Sequence, residues 1–338
     1  MLFENVAIAG LAHVEPPHRV TSEELCQRLA PILRRLRAPM SILEDLTGIT
    51  ARRWWDEGVR PSDAATMAGR LVLESTGIDP KRIGIMVNTS VSRDYLEPST
   101  ACFVHQNLGL PEECINYDVG NACLAFLNGM DIVGNMIERG QVDYGMVVNG
   151  ESSRYIIEQT IQRMLAGETT MADLKVQFAS LTLGSGAAAM ILARRDLLEE
   201  SHVYRGGVTL AATHHNRLCL GHEHEMITDS KNLLIEGLRL AQRTYEKARR
   251  KLGWAIHEMD AIVMHQISKV HTVKMAEMFG VDLSRVHRIF PEFGNIGPAS
   301  VPMVLSRIAQ EGKLNKGDRI ALMGIGSGLN CTMAEVVW

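Results

Sequence analysis

Four things are missing from this chain, and each absence removes a class of function or location. No apolar run approaches the roughly 18 residues that read as a membrane-spanning helix. The six cysteines (Cys26, Cys102, Cys114, Cys123, Cys219 and Cys331) show no paired spacing, and most sit among apolar neighbours. That is the pattern of reduced thiols, not of a disulfide framework. Charge of one sign is not concentrated either. Lys and Arg are spread along the chain and the formal net charge is −4, which leaves no basic surface for a nucleic acid. The first residues, Met1 to Asn5, also lack the basic-then-apolar plan of a secretory signal, so a cytoplasmic location is expected.

What is present is the composition of a globular protein, 46% hydrophobic and 22% charged, in a chain of 338 residues that can bury one large core or two similar ones. Strand and helix patterns alternate. Strands are expected at Val6 to Ala12, Ile83 to Asn88, Ile115 to Val119, Gly145 to Asn149 and Ala187 to Ala193. Helices are expected at Ser22 to Arg37, opened by a start signal at Thr21-Ser22-Glu23-Glu24, and at Ser62 to Ser75 and Ser99 to Leu108. The second part repeats the plan, with strands at Val208 to Ala212, Ala261 to Met264, Arg319 to Met323 and Cys331 to Trp338. Its helices are Leu233 to Lys251, Val270 to Phe279 and Val301 to Glu311, the last with Pro302 in its first turn. Ile83 to Ser90 resembles Ala261 to Ser268, and Tyr144 to Gly150 resembles Arg319 to Ile325, at offsets of 178 and 175 residues. A duplicated α/β unit follows, with halves at about 1–200 and 201–338. Residues 151–180 have no counterpart in the second half and read as a cap over one face.

Cys123 is the most informative residue. The strand ending at Val119 runs through Gly120-Asn121 into an apolar helix, which puts the thiol on the first helical turn. Free N–H groups and the positive end of the helix dipole favour a thiolate there. Position alone also suits a small core residue, since Leu124, Phe126, Leu127 and Met130 bury the helix on most sides. His265 closes an apolar strand, where ligands of α/β sheets gather, although a surface histidine fits as well. Asn295 lies in the glycine-bounded loop Phe293 to Pro298, which turn chemistry alone would explain. A thiolate with two hydrogen-bond donors suits reaction at a thioester carbonyl, where negative charge builds on oxygen.

Two other features are set aside. Gly324-Ile325-Gly326-Ser327-Gly328 follows a strand but leads into another strand, so it lacks the helix N-terminus that a dinucleotide pyrophosphate needs. A glycine turn presenting a backbone N–H to an oxyanion fits it better. The segment from His214 through Cys219 to His224 has no zinc-like spacing and reads as a solvated loop, so no metal is assigned. No cofactor is expected.

Taken in order, these pieces resemble the thiolase superfamily, with the nearest likeness to its ketoacyl-ACP synthase III branch. The likeness is carried by Leu46 to Ile49 with Arg52-Arg53, by Glu97-Pro98-Ser99-Thr100-Ala101, and by the Cys123 segment. It continues through His265-Gln266, Gly294-Asn295 with Ala299-Ser300, and Gly326-Ser327-Gly328. The resemblance implies a five-layer αβαβα fold of two pseudo-symmetric halves and a homodimer. It implies that Cys123 takes an acyl group from a thioester, that His265 and Asn295 hold the enolate of a second substrate, and that the Cys123 and Ser327 N–H groups form an oxyanion hole. Arg52 and Arg53 become candidate partners of coenzyme A phosphates, beside the plainer reading of a solvated charge pair. The usual Arg and Trp contacts to the CoA adenine are missing near Thr47.

One departure decides the expected chemistry. Where synthase III enzymes carry an aromatic residue that reaches into the partner's site, this chain has Glu97. Loss of CO2 from a malonyl group needs no base, but joining two simple acyl thioesters requires removal of a Cα proton, which a buried carboxylate can take. Thiolases use a second cysteine in Cys-x-Gly, and Cys331 is followed by Thr332-Met333. Glu97 at this position resembles the acyl-CoA-condensing members that serve bacterial long-chain olefin synthesis. The implied reaction joins two long-chain fatty acyl-CoA molecules without decarboxylation, giving a 2-alkyl-3-keto acid for olefin or ketone formation, with downstream pathway enzymes as further partners. The alternatives are decarboxylative condensation of acyl-CoA with malonyl-ACP, a non-catalytic acyl-binding protein, and a plain acyl-CoA thioesterase.

Overall fold

The structure is a computed structural model that describes residues 2–222 and 224–338. Nine strands form its main sheet: β1 (Val6–Val14), β2 (Ile83–Asn88), β3 (Ile115–Asp118), β4 (Tyr144–Glu151), β5 (Gly186–Arg194), β6 (His202–Ala211), β7 (Ala261–Met264), β8 (Arg319–Gly326) and β9 (Asn330–Val337). Six helices cover it: α1 (Pro61–Thr76), α2 (Thr100–Leu108), α3 (Ala125–Glu138), α4 (Ser230–Leu252), α5 (Lys269–Phe279) and α6 (Ser300–Gln310). The strand order is β7-β8-β9-β6-β1-β5-β4-β2-β3. Strands β2, β3 and β4 are mutually parallel, as are β7 and β8. The two halves meet where β1 and β6 pair antiparallel through Ala7–Val203 and Ile8–His202. An isolated parallel bridge between Ile262 and Val286 stands in the second half where β3 stands in the first.

Strand alternation sorts the apolar side chains into layers. Met86, Met146 and Ile191 face one way and pack on Ala65 and Val72 of α1 and Val104 of α2. Val87 and Val147 face the other way, onto Phe126 and Met130 of α3, and the same central cluster takes Leu305 of α6 and Leu322 of β8. Beyond it, Ile262, Met323 and Met333 turn outward to Leu240 and Ala241 of α4 and Met275 of α5. The result is α1/α2, sheet, α3/α6, sheet, α4/α5. These are the five layers expected of the thiolase fold.

Three local expectations need correction. The helix expected over Ser22 to Arg37 breaks at Leu29 into Ser22–Arg28 and Ala30–Arg35. Pro31 has no N–H and cannot sit inside a continuous helix. The start signal does form a capping box, in which Thr21 Oγ1 accepts from Glu24 N and Glu24 Oε2 accepts from Thr21 N. Strand β4 runs to Glu151, two residues past the expected end, so that residue belongs to the sheet and not to the cap. The cap itself consists of helices Arg154–Ala166 and Met171–Gln177 and the 3-10 turn Phe178–Thr182. It packs on the Ser22–Arg35 region through Leu25, Leu29, Ile157 and Met164. The His-rich segment is no bare loop, since Cys219–Gly221 and Met226–Thr228 pair as a small hairpin.

Candidate active site

Cys123, His265 and Ser327 stand at or just beyond the ends of β3, β7 and β8, as expected for α/β sheets, whereas Asn295 follows the short helix Phe290–Phe293. Cys123 follows β3 on a 3-10 turn, Ala122–Leu124, that runs directly into α3. The turn is sharp because Ala122 adopts φ 46°, a left-handed conformation that costs a non-glycine residue about 1–2 kcal/mol. Asn121 holds it in place. Its Nδ2 donates to Asn128 Oδ1 at 2.7 Å, and its Oδ1 accepts from Asn330 Nδ2 at 3.1 Å. The turn leading into α3 is thus tied to the β8–β9 connection that contains Ser327.

Strand β8 brings the histidine and cysteine segments together. A Cβ on Gly326 would stand 3.3 Å from Cys123 N and 3.4 Å from Asn121 O, so the strand end lies close against the cysteine turn. Two residues before Ile325, Met323 O accepts from His265 N at 2.7 Å. His265 is buried, and its Nδ1 lies 3.0 Å from Ser300 Oγ. Its Nε2 is buried with no hydrogen-bond partner among the described residues, so a ring nitrogen is left for chemistry. His265, His271, Met275, Met323 and Cys331 line a small cavity beside the ring.

The Asn295 loop closes the arrangement. Gly184 N donates to Asn295 O and Asn295 N to Thr182 O, each at 2.9 Å. A Cβ on Gly184 would overlap Phe293 O, so the loop depends on this glycine. Asn295 Oδ1 accepts from Gly297 N at 3.0 Å, which leaves its Nδ2 hydrogens to donate elsewhere. The next turn, Gly297–Ala299, packs on the Cys123 turn, and Ser300 at its end reaches His265.

Electrostatics correct one expectation. The helix dipole was expected to favour a thiolate, but burial pushes the Cys123 thiol up to about 12, with Cys219 and Glu151 acting in the same direction. Desolvation dominates the shift, so the resting sulfur is protonated and needs a base. Burial holds His265 near 3, with His271 adding to the shift, and His265 is therefore neutral at physiological pH.

Glu97 is not brought to the chain's own cysteine cluster. It lies exposed on the loop between β2 and α2, beside Leu96, which is 92% exposed. Arg52 contradicts its expected role. It is fully buried, its Nη1 donates to Ser22 Oγ and its Nη2 to Leu181 O, each at 3.1 Å. A guanidinium held in this way braces the cap and is not presented to a CoA phosphate. Arg53, on the opposite side of the strand Ala51–Trp54, lies over the Phe293 ring with 5.5 Å from Cζ to the centroid.

Sequence reasoning missed Glu151. Its buried carboxylate accepts from Val91 N at 2.7 Å, Ser92 N at 3.1 Å, Ser92 Oγ at 2.9 Å and Asn149 Nδ2 at 3.2 Å. Burial raises it to about 7 against the pull of those donors. The available signal was an acidic residue three positions after the apolar run Gly145 to Val148.

Comparison with known proteins agrees with this architecture. Residues 117–207 match the 3-oxoacyl-[acyl-carrier-protein (ACP)] synthase III family, and residues 250–338 match the C-terminal family of the same synthase. An acyl-CoA:acyl-CoA alkyltransferase of Xanthomonas campestris pv. campestris is 53% identical over 338 residues, covering all of both chains. Another, from Shewanella oneidensis, is 37% identical, again covering all of both chains. The crystal structure of cerulenin-bound Xanthomonas OleA superposes with a TM-score of 0.98, at 53% identity, covering all of this chain and 98% of that one. A cysteine-to-serine variant of that OleA, with bound lauric acid and lauroyl-CoA, superposes equally well over the whole of both chains. The chain belongs to the OleA family of acyl-CoA:acyl-CoA alkyltransferases, within the thiolase superfamily.

Proposed function

We propose that this enzyme joins two long-chain fatty acyl-CoA molecules by a non-decarboxylative Claisen condensation, giving a 2-alkyl-3-keto acid after loss of both CoA groups. The observation that carries the reading is full-length identity of 53% to an acyl-CoA:acyl-CoA alkyltransferase. Spacing supports the residue roles. Crystallised OleA variants replace a glutamate, a cysteine and a histidine that are 26 and 142 residues apart, and Glu97, Cys123 and His265 have the same separations.

The first half-reaction begins with a thiol, so the Cys123 proton passes to neutral His265 Nε2 as sulfur attacks the first thioester carbonyl. The backbone N–H groups of Cys123 and Ser327 receive the developing oxyanion, and CoA leaves as a thiol with the proton returned by His265. In the second half-reaction Glu97 of the partner subunit takes a Cα proton from the second acyl-CoA. His265 Nε2–H and Asn295 Nδ2 donate to the enolate oxygen. The carbanion attacks the acyl-Cys carbonyl, the C–S bond breaks, and the Cys123 thiolate takes up a proton in place of the one that Glu97 removed and releases, restoring thiol and carboxylate. Hydrolysis of the remaining thioester gives the keto acid.

The partner subunit in this scheme is a second copy of the chain. Val91, Tyr95 and Leu96 surround the glutamate loop with exposed apolar surface, which a second copy would cover. Arg53 remains the candidate contact for a CoA phosphate. A cytoplasmic location and hand-over of product to olefin-pathway enzymes belong to the same reading. Among the described residues, no helix is long and apolar enough to cross a membrane.

Incubation with myristoyl-CoA alone, followed by mass spectrometry, tests the reaction. A β-keto acid built from two chains, or the ketone left after its decarboxylation, is the expected product. Free CoA with myristate alone would identify a thioesterase instead. Cys123→Ala removes both the acyl adduct and the product; a condensed product from that variant would refute the nucleophile.

A further inference from the structure

The loop that carries Glu97 is fastened at its base by a residue with no part in the proposed condensation. Glu151 sits at the end of β4 and is 6% exposed. Its carboxylate gathers the N–H groups of Val91 and Ser92 and the Ser92 hydroxyl, at 2.7 to 3.1 Å, at the start of the segment leading to Glu97. The same carboxylate is close enough to Cys123 to affect it electrostatically, and a Cβ on Gly297 would lie 3.9 Å from its Cδ. Glu151 therefore lies between the chain's own cysteine cluster and the loop that leaves that cluster for the second copy. Further out, Asp94 accepts from Ser62 N and Tyr95 OH accepts from Arg60 Nη1, so the fastenings stop just before the exposed tip at Leu96 and Glu97.

We propose that Glu151 is a positioning residue whose effect is felt in the partner subunit's active site, because it holds the base of the loop that delivers Glu97 there. The alternative assignment for a carboxylate in this place is local action on its own Cys123. The two assignments predict opposite outcomes when chains are mixed. This inference rests on the reading in which Glu97 crosses between subunits.

The test uses heterodimers purified through two different tags. A Cys123→Ala chain paired with a Glu151→Gln chain has one site with intact Cys123 on the Gln chain, served by a loop held by intact Glu151 of the other. We expect about half the wild-type condensation rate per dimer, one working site of two. A Cys123→Ala/Glu151→Gln chain paired with wild type keeps an intact Cys123 and Glu151 together, but its loop comes from the altered chain. There we expect a fall of ~10- to 100-fold, the cost of misplacing a reacting group by about an ångström. The Glu151→Gln homodimer is expected to retain an acyl adduct on Cys123 while condensation falls by a similar factor. Ser92→Ala weakens the same clasp from the loop side and is expected to show the same asymmetry more mildly, which covers the case of a poorly folding Glu151 variant. The reverse asymmetry, or equal loss in both pairings, overturns the proposal. The same pairs built with Glu97→Gln separate it from the underlying reading. If those complement in trans and the Glu151 pairs do not, only the positioning role fails; if neither does, the crossing of Glu97 fails.

Discussion

Ser300→Ala is the most pointed test of how the histidine is prepared. Ser300 Oγ lies 3.0 Å from His265 Nδ1 and 3.0 Å from Gly297 O, and it has one proton for two acceptors. When that proton goes to Gly297 O, His265 must donate from Nδ1, and Nε2 is a base suited to the Cys123 thiol. When it turns to Nδ1, Nε2 carries a hydrogen and can donate to an enolate. Both half-reactions are therefore served by one hydroxyl rotor. In the alanine variant Nδ1 is left buried and without this partner in either tautomer, at a cost of about 1–3 kcal/mol. At 1.36 kcal/mol per tenfold, condensation is expected to fall by ~5- to 150-fold. Acylation of Cys123, which relies on the Nδ1–H tautomer and loses the same partner, is expected to fall by a similar factor. The assays are single-turnover acylation by mass spectrometry, the condensation rate, and the His265 tautomer read from imidazole 15N shifts. Unchanged condensation together with an unchanged tautomer ratio would refute the reasoning.

Other substitutions probe the base, the asparagine loop and a second buried histidine. Glu97→Gln is expected to leave the Cys123 adduct intact and reduce condensation by ~100-fold or more, because general-base catalysis typically contributes 10²–10⁴-fold; rapid condensation would show that no base acts there. Gly184→Ala drives a methyl carbon into Phe293 O, so we expect about 1–3 kcal/mol lower stability by urea denaturation and loss of condensation as the Asn295 loop is displaced. Burial lowers His271 to about 4, against 6.5 in the unfolded chain, so its contribution to stability is full above pH 6.5 and is lost as pH falls toward 4. His271→Gln should therefore shrink the decline in the urea midpoint between pH 7 and 5, by about 1–2 kcal/mol in stability, and an unaltered decline would contradict the assignment.

The cysteine, histidine and asparagine could be singled out as candidates because each stands at a transition that sequence marks well. Cys123 follows a glycine turn between a strand and an apolar helix, His265 ends an apolar strand, and Asn295 lies between glycines. Internal repetition was the basis for expecting two α/β halves, since strand pairs β2/β7 and β4/β8 keep the same apolar pattern. Arg52 misled for the opposite reason. A sequence shows a charge but not how far the strand buries it, and Arg52 is fully buried while Arg53 is partly exposed. Glu151 was hidden by a boundary, because an acidic residue after an apolar run reads as the start of a loop.

Order along the chain and the chemistry of side chains were enough to establish the type of reaction, because a nucleophile, two donors and a carboxylate are recognisable by kind and local pattern. Tertiary structure alone decided protonation and alignment. The Cys123 thiol is raised to about 12 and His265 lowered to about 3 because folding removes water from both, and burial is a property of the packed whole. Contacts spanning 35 residues, as from His265 to Ser300, or 60, as from Glu151 to Val91, are set by layers closing on one another and leave no periodic trace in the chain.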